Sequence, residues 1–329
     1  MASAIALPLS ALLPPSDTTK GREVAARALL GFDAPSTPLP KHTAILGPLP
    51  PSAPLSAADA FLALADIPAF EASEHTSTAI STYAALYALQ PRPHALVLTG
   101  PREQLHLALE EQDPPFLRSH SYDLLDRLRR TDVRYAPSFG HLRLLIAVLG
   151  SEGAKVAPPS LVVLYDILGL LTMPGEREEN KPPDVEETEA DQPELARVLR
   201  PGVTLASYLE LVAAALDLAR AAGNVPILIL EPGGDIALPL LVTANETVPP
   251  TQRTRTAQLS DGLRRLGFTV GRVSPVQAEE ELTGTRYELV LSGETHRFAC
   301  RPGVKSEFAC PPREEGEQLE TGGWVWEWT

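Results

Sequence analysis

Only two cysteines, Cys300 and Cys310, occur in this chain of 329 residues. Two are too few for a disulfide framework, and no second pair exists to complete a zinc site, so both are expected to be reduced thiols. Long apolar runs are missing too: nowhere do about 18 apolar residues follow one another, the length a bilayer-crossing helix needs. The opening MASAIALPLSALLPPSD is apolar but lacks the basic stretch of a secretory signal. These absences predict a nuclear or, alternatively, a cytoplasmic chain with no membrane partner. His94, His106, His120, His141 and His296 show no i, i+4 pairing with one another, so no metal site is expected. Neither a G-x-S-x-G elbow nor a dinucleotide-binding G-x-G-x-x-G occurs.

Negative charge and proline are in surplus, and both are concentrated. The net charge is −14, which argues against wholesale coating of nucleic acid. Half of it, −7, falls in EREENKPPDVEETEADQPE (176–194), where nine acids face two bases. With Val185 and Ala190 as its only apolar side chains besides three prolines, this stretch has too little surface to bury, and a disordered acidic insertion is expected over 174–200. Ten of the 33 prolines fall in the first 55 residues. Residues 1–60 are therefore expected to form a proline-rich leader with one short helix at 21–31, and 61–329 the folded core.

Hydrophobic patterning orders that core. HALVLTG (94–100), SLVVLYDIL (160–168) and VPILILEPGG (225–234) are short apolar runs that predict buried strands. DVRYA (132–136) and FTVGRVSP (268–275) predict two more. Helical rhythm marks 75–90, 101–112, 121–130, 138–153 and 204–223, the last with Gly223 at its C-terminal cap, and 256–267. Strands alternating with helices predict βαβ units and a mainly parallel sheet covered on both faces. The tail, RYELVLSGETHRFACRPG and then GGWVWEWT, alternates with period two and predicts antiparallel strands. A sheet of this kind carries its site at the carboxyl ends of its strands, which puts Gly100, Asp166 and the loop after Leu230 on one rim.

Several pieces recur in a known order. They are Arg134-Tyr135-Ala136-Pro137-Ser138 leading into a helix, Pro159-Ser160-Leu161 through Asp166, the helix Leu205–Ala222, and Ile227–Leu230. With ALVLTGPREQL (95–105), this composite resembles the RecA-like ATPase core of eukaryotic recombinase paralogues. It is most similar to the small paralogue that partners a SWIM-domain protein in Shu-type complexes, over about residues 65–275. The resemblance implies a RecA-like three-layer α/β core with a mainly parallel twisted sheet and antiparallel C-terminal strands. It also implies an accessory of homologous recombination whose partners are a SWIM-domain protein or another recombinase paralogue, and single-stranded DNA. An Elongator accessory subunit acting in tRNA modification, also RecA-like without a phosphate loop, is the alternative, and a weak NTPase with a cryptic site a third.

The phosphate loop is where the resemblance fails. Such a loop needs glycines whose N–H groups wrap phosphate, a lysine for the β/γ-phosphates and a Ser/Thr for Mg²⁺, and no G-x-x-x-x-G-K-[ST] occurs. Aligned on the hydroxyl, Ala72-Ser73-Glu74-His75-Thr76 stands in its place. Thr76 alone is preserved, Glu74 brings a negative charge, and His75 is too short for the lysine's task. A second register, ILGPLPPSAPLS (45–56), has prolines where N–H donors are needed. Ser73, His75, Thr76 and Asp166 thus mark a degenerate nucleotide site, and the expected protein is a pseudo-ATPase without bound ATP or Mg²⁺. Asp166 is either a Mg²⁺ carboxylate or a strand-end residue capping the next turn, and the missing lysine favours the cap. Arg253 and Arg255 in the loop 245–256, with Arg264 and Arg265 on the following helix, are candidate phosphate contacts; solvated surface arginines are the plainer account. The RLRR stretch at 127–130 reads as a solvated helix end. Trp324, Trp326 and Trp328 alternate, so they share one strand face, as core cover or as a partner surface.

Overall fold

The structure is a computed structural model of the whole chain. It describes residues 9–12, 39, 41–66, 92–112, 122–151, 158–173, 198–199, 203–240, 255–276, 285–304 and 321–328. Three apolar runs form strands buried at every position: β2 (Ala95–Thr99), β4 (Leu161–Tyr165) and β7 (Ile227–Glu231). Burial on both faces is why these runs do not alternate. They belong to a nine-stranded sheet ordered β13-β12-β11-β10-β1-β7-β4-β2-β3. The stretch β10-β1-β7-β4-β2-β3 is parallel throughout, with β1 (His42–Leu46), β3 (Thr131–Tyr135) and β10 (Thr269–Val276) as its remaining members. Beyond β10, the strands β11 (Thr285–Leu291), β12 (Glu294–Val304) and β13 (Thr321–Trp328) run as an antiparallel meander. This is the mainly parallel, helix-covered sheet with antiparallel C-terminal strands expected from the sequence.

Helices cover both faces. On one side α1 (Ala53–Asp66) packs Ala57, Phe61 and Leu62 against Ile45, Val97, Val163 and Leu230. Leu105 of α2 (Arg102–Gln112) joins that cluster, while Leu124 of α3 (Tyr122–Arg129) packs with Leu55 of α1. The other face carries α4 (Phe139–Leu149), α5 (Ile167–Leu171), α6 (Leu205–Ala221) and α7 (Leu259–Arg265) over Leu46, Leu98, Leu164 and Ile229. Ser138 and Thr204 begin α4 and α6 as N-caps, each accepting a backbone N–H three residues on. Thr204→Ala should lower stability by about 1 kcal/mol, read as a shifted urea midpoint at constant slope.

Three expectations need correction. The leader does not extend to residue 60, because β1 stands in the middle of the sheet between β7 and β10, and α1 begins at Ala53. The five residues HTAIL are flanked by Pro40 and Pro48, and proline density hid a strand short enough to fit between them. The strand expected over 160–168 ends at Tyr165, and Ile167–Leu171 is helical. Similarly, 256–267 divides into β9 (Thr256–Gln258) and α7. The helices expected at 21–31 and 75–90 lie outside the described residues. So does the acidic insertion, apart from the short ladder of β5 (Thr172–Met173) with β6 (Val198–Leu199) that joins its two sides.

Candidate functional site

The carboxyl ends of β1, β4 and β7 meet at one rim, tied through backbone bonds. Gly47, the first residue after β1, donates its N–H to Glu231 O at 3.0 Å, and Asp166 donates to Leu230 O at 2.9 Å. Glu231 ends β7 with a carboxylate that is wholly buried. Tyr208 of α6, itself fully buried, donates its hydroxyl to Oε1 at 2.7 Å, and Leu168 of α5 donates its N–H to Oε2 at 3.1 Å. Burial, and then the charge of Asp166, push the Glu231 carboxyl up to about 8, while the Tyr208 hydroxyl and the N–H groups of Leu168 and Ile167 pull it back. Burial and the same carboxylate hold the Tyr208 phenol well above its usual range. Around neutrality Glu231 therefore keeps its proton in the folded chain.

Asp166 sits in left-handed backbone, φ +51°, at the corner where β4 turns into α5. Its Oδ1 accepts the N–H of Gly169 at 3.2 Å, so the carboxylate caps the turn that follows. A Cβ on Gly169 would stand 2.5 Å from Asp166 Oδ2, so a side chain there would have to displace the capping carboxylate. The rest of α5 fills the rim: Ile167, Leu168, Leu170 and Leu171 are all buried, and Leu170 lies 3.6 Å from where a Cβ on Gly100 would be. The rim expected from Gly100, Asp166 and the loop after Leu230 is thus real in position and largely filled by apolar side chains.

Of the degenerate nucleotide site, Ser73, His75 and Thr76 lie outside the described residues. The second register, 45–56, is the strand–loop–helix connection that joins the rim, with β1, Gly47 and α1 in the order a phosphate loop requires. Its chemistry is poor for phosphate. Pro48, Pro50 and Pro51 have no N–H, Gly47 commits its own to Glu231, and Ala53 donates to Pro50 O at 2.9 Å. No lysine or arginine occurs from residue 42 to 66. Among the described residues no group of three or more His, Cys, Asp or Glu is arranged to hold a metal ion.

Of the candidate nucleic-acid residues, Arg264 and Arg265 stand on α7 and Arg255 just before β9. Arg253 lies outside the described residues. Arg255 is exposed just before β9, and its carbonyl accepts Leu240 N–H at 2.9 Å. Arg264 and Arg265 are exposed on α7, with Arg264 paired to Asp261 at 3.4 Å. The described end of the loop 245–256, from Arg255 on, leads into β9, which pairs antiparallel with β8 (Ala237–Pro239). The RLRR stretch is partly committed elsewhere: Arg127 pairs with Asp59 at 2.6 Å and Arg130 with Asp126 at 3.2 Å. Trp324, Trp326 and Trp328 lie on β13, the outermost strand, in register with Pro302, Cys300 and Phe298. Cys310 lies outside the described residues.

Sequence reading missed Glu231 and Tyr208. One signal was available: a glutamate closing the run ILIL is an expensive residue to bury and asks for a donor. Nothing in the alternation of Leu, Ala and Tyr along α6 identified Tyr208 as that donor.

No family model matches the chain, and no curated protein matches it. Among solved structures, the crystal structure of the RadB recombinase is similar over 84% of this chain and 92% of that one, at 12% identity and a TM-score of 0.35. No helix among the described residues is long and apolar enough to cross a membrane.

Proposed function

We propose that this chain is a non-catalytic accessory protein of homologous recombination, a RecA-like fold whose nucleotide rim has been given over to internal packing. It acts by assembly in the nucleus, pairing with a SWIM-domain protein or another recombinase paralogue and helping recombinase load on single-stranded DNA. The observation that carries the pseudo-ATPase part is the rim itself. The β1–α1 connection is rich in proline and free of lysine, and Asp166 caps its own turn. The recombination part rests on the ordered sequence resemblance from Arg134 to Leu230.

Concentrated purified protein should show no Mg²⁺-dependent ATP turnover. Turnover that Asp166→Ala abolishes would establish an active NTPase in place of this reading. Affinity purification with mass spectrometry should return a SWIM-domain protein; recovery of Elongator subunits instead would assign the chain to tRNA modification. Replacing Arg253 and Arg255 together by alanine should flatten the salt dependence of single-strand binding by about 1.4 in log–log slope, at about 0.7 per lost phosphate contact. An unchanged slope removes the loop from the DNA interface.

A further inference from the structure

β8 and β9 pair as a short antiparallel ribbon whose base is a narrow neck beside α7. At that neck Leu259 donates its N–H to Ile236 O at 3.0 Å, and beyond the far end of the ladder Leu240 donates to Arg255 O at 2.9 Å. The ribbon itself is weak. Its ladder has three residue pairs, Ala237 with Gln258, Leu238 with Ala257 and Pro239 with Thr256, and only Leu238 is fully buried. A two-stranded ribbon of this size does not hold its own position in water.

Just outside the ladder, the two returning strands are joined through one side chain of the main sheet. Asp235 precedes β8 and Ser260 follows β9, and Asp235 Oδ1 accepts Ser260 N–H at 2.9 Å. Arg272 of β10 uses Nη2 for both partners, pairing with Asp235 Oδ2 and donating to Ser260 Oγ at 2.8 Å. The arginine is half exposed, 51%, whereas the Asp235 side chain is 13% exposed, so the carboxylate is the inner and better shielded member.

We infer that Arg272 and Asp235 form a clamp that positions the β8–β9 ribbon, and with it Arg255, against the sheet. Both act as positioning residues, because neither needs to touch the bound strand. In its effect on nucleic acid the inference rests on the proposed role of the Arg255 loop; the clamp itself does not.

Asp235→Asn separates the clamp from simple electrostatics. Asparagine keeps an Oδ1 acceptor for Ser260 N–H, so α7 stays capped, but it loses the charge that holds Arg272. Removing a negative charge near a polyanion site would by itself tighten binding; loss of positioning weakens it. In the full-length chain, Asp235→Asn and Arg272→Gln should each speed amide hydrogen exchange at Leu240 and Leu259 by about three- to tenfold, with the β4 and β7 amides unchanged. Arg272→Lys, which keeps a charge opposite Asp235, should stay within about twofold. Titration with fluorescent oligo-dT should show weaker binding for Asp235→Asn. Unchanged exchange at both amides, or tighter oligo-dT binding by Asp235→Asn, would overturn the clamp. If the unaltered chain does not bind oligo-dT, the nucleic-acid reading fails, and the exchange result still decides the clamp.

Discussion

Glu231→Gln should make the protein more stable, and the gain should grow with pH before levelling off. The unfolded chain releases this proton near the ordinary 4.5, whereas the folded chain holds it to about 8. Between those values the folded state carries more protons than the unfolded state. The stability due to this group is therefore complete below about 4.5, falls as pH rises, and is lost once pH passes about 8. Within the window the tilt is at most about 1.4 kcal/mol per pH unit. Glutamine has the shape of the protonated side chain, with an oxygen to accept Leu168 N–H and an amide that donates to the Tyr208 oxygen, reversing that bond, and it does not titrate. Scanning calorimetry of both proteins at pH 5, 6.5, 8 and 9 should show the gap in melting temperature widening up to about 8 and constant above. A gap that is flat or narrows with pH would mean that Glu231 is ionised in the fold.

Gly47→Ala should be among the most damaging single-methyl additions in the chain. Gly47 has φ +133°, and a Cβ there would stand 2.2 Å from Val273 O and 2.8 Å from Val273 Cβ. The clash is with backbone of the neighbouring strand β10, so no rotamer relieves it. Strain and overpacking together should cost about 3 kcal/mol or more, a large part of a typical folding free energy. Gly223 supplies the comparison: its φ is +97°, but nothing lies within 4 Å of its added Cβ. Gly223→Ala should cost about 1 kcal/mol from backbone strain alone. Urea unfolding of the two variants reads the difference, and equal losses would show that the β1–β10 seam yields to accommodate a methyl group.

Strands buried on both faces were legible because a continuous apolar run bounded by glycine or proline has few other uses, as β2, β4 and β7 show. The antiparallel tail was legible for the opposite reason, its period-two alternation of polar and apolar residues in the sequence. β1 was not, because prolines on both sides of a five-residue run resemble an irregular leader, and only its neighbours β7 and β10 make it a strand. At the candidate site Asp166 was found and its capping role favoured, since the sequence shows no lysine to give it another task. Glu231 remained hidden because its partners come from α5 and α6. Its protonation depends on burial and on the distance to Asp166, quantities that arise only when distant segments meet.

The place of β1 in the sheet also bears on how the chain reaches its fold. His42 pairs with Ile227 and Thr43 with Thr269, so the strand made early waits for two that are made late. Contacts this far apart in sequence make folding slow, since long loops must close before any pairing is rewarded. Until β7 and β10 have emerged, Ala44, Ile45 and Leu46 lack the neighbours that bury them. A nascent chain of this protein thus carries an unpaired apolar strand through most of its synthesis, the condition in which chaperones are most needed. A chain ended before residue 269 would leave β1 with a free edge in the centre of what should be a closed core.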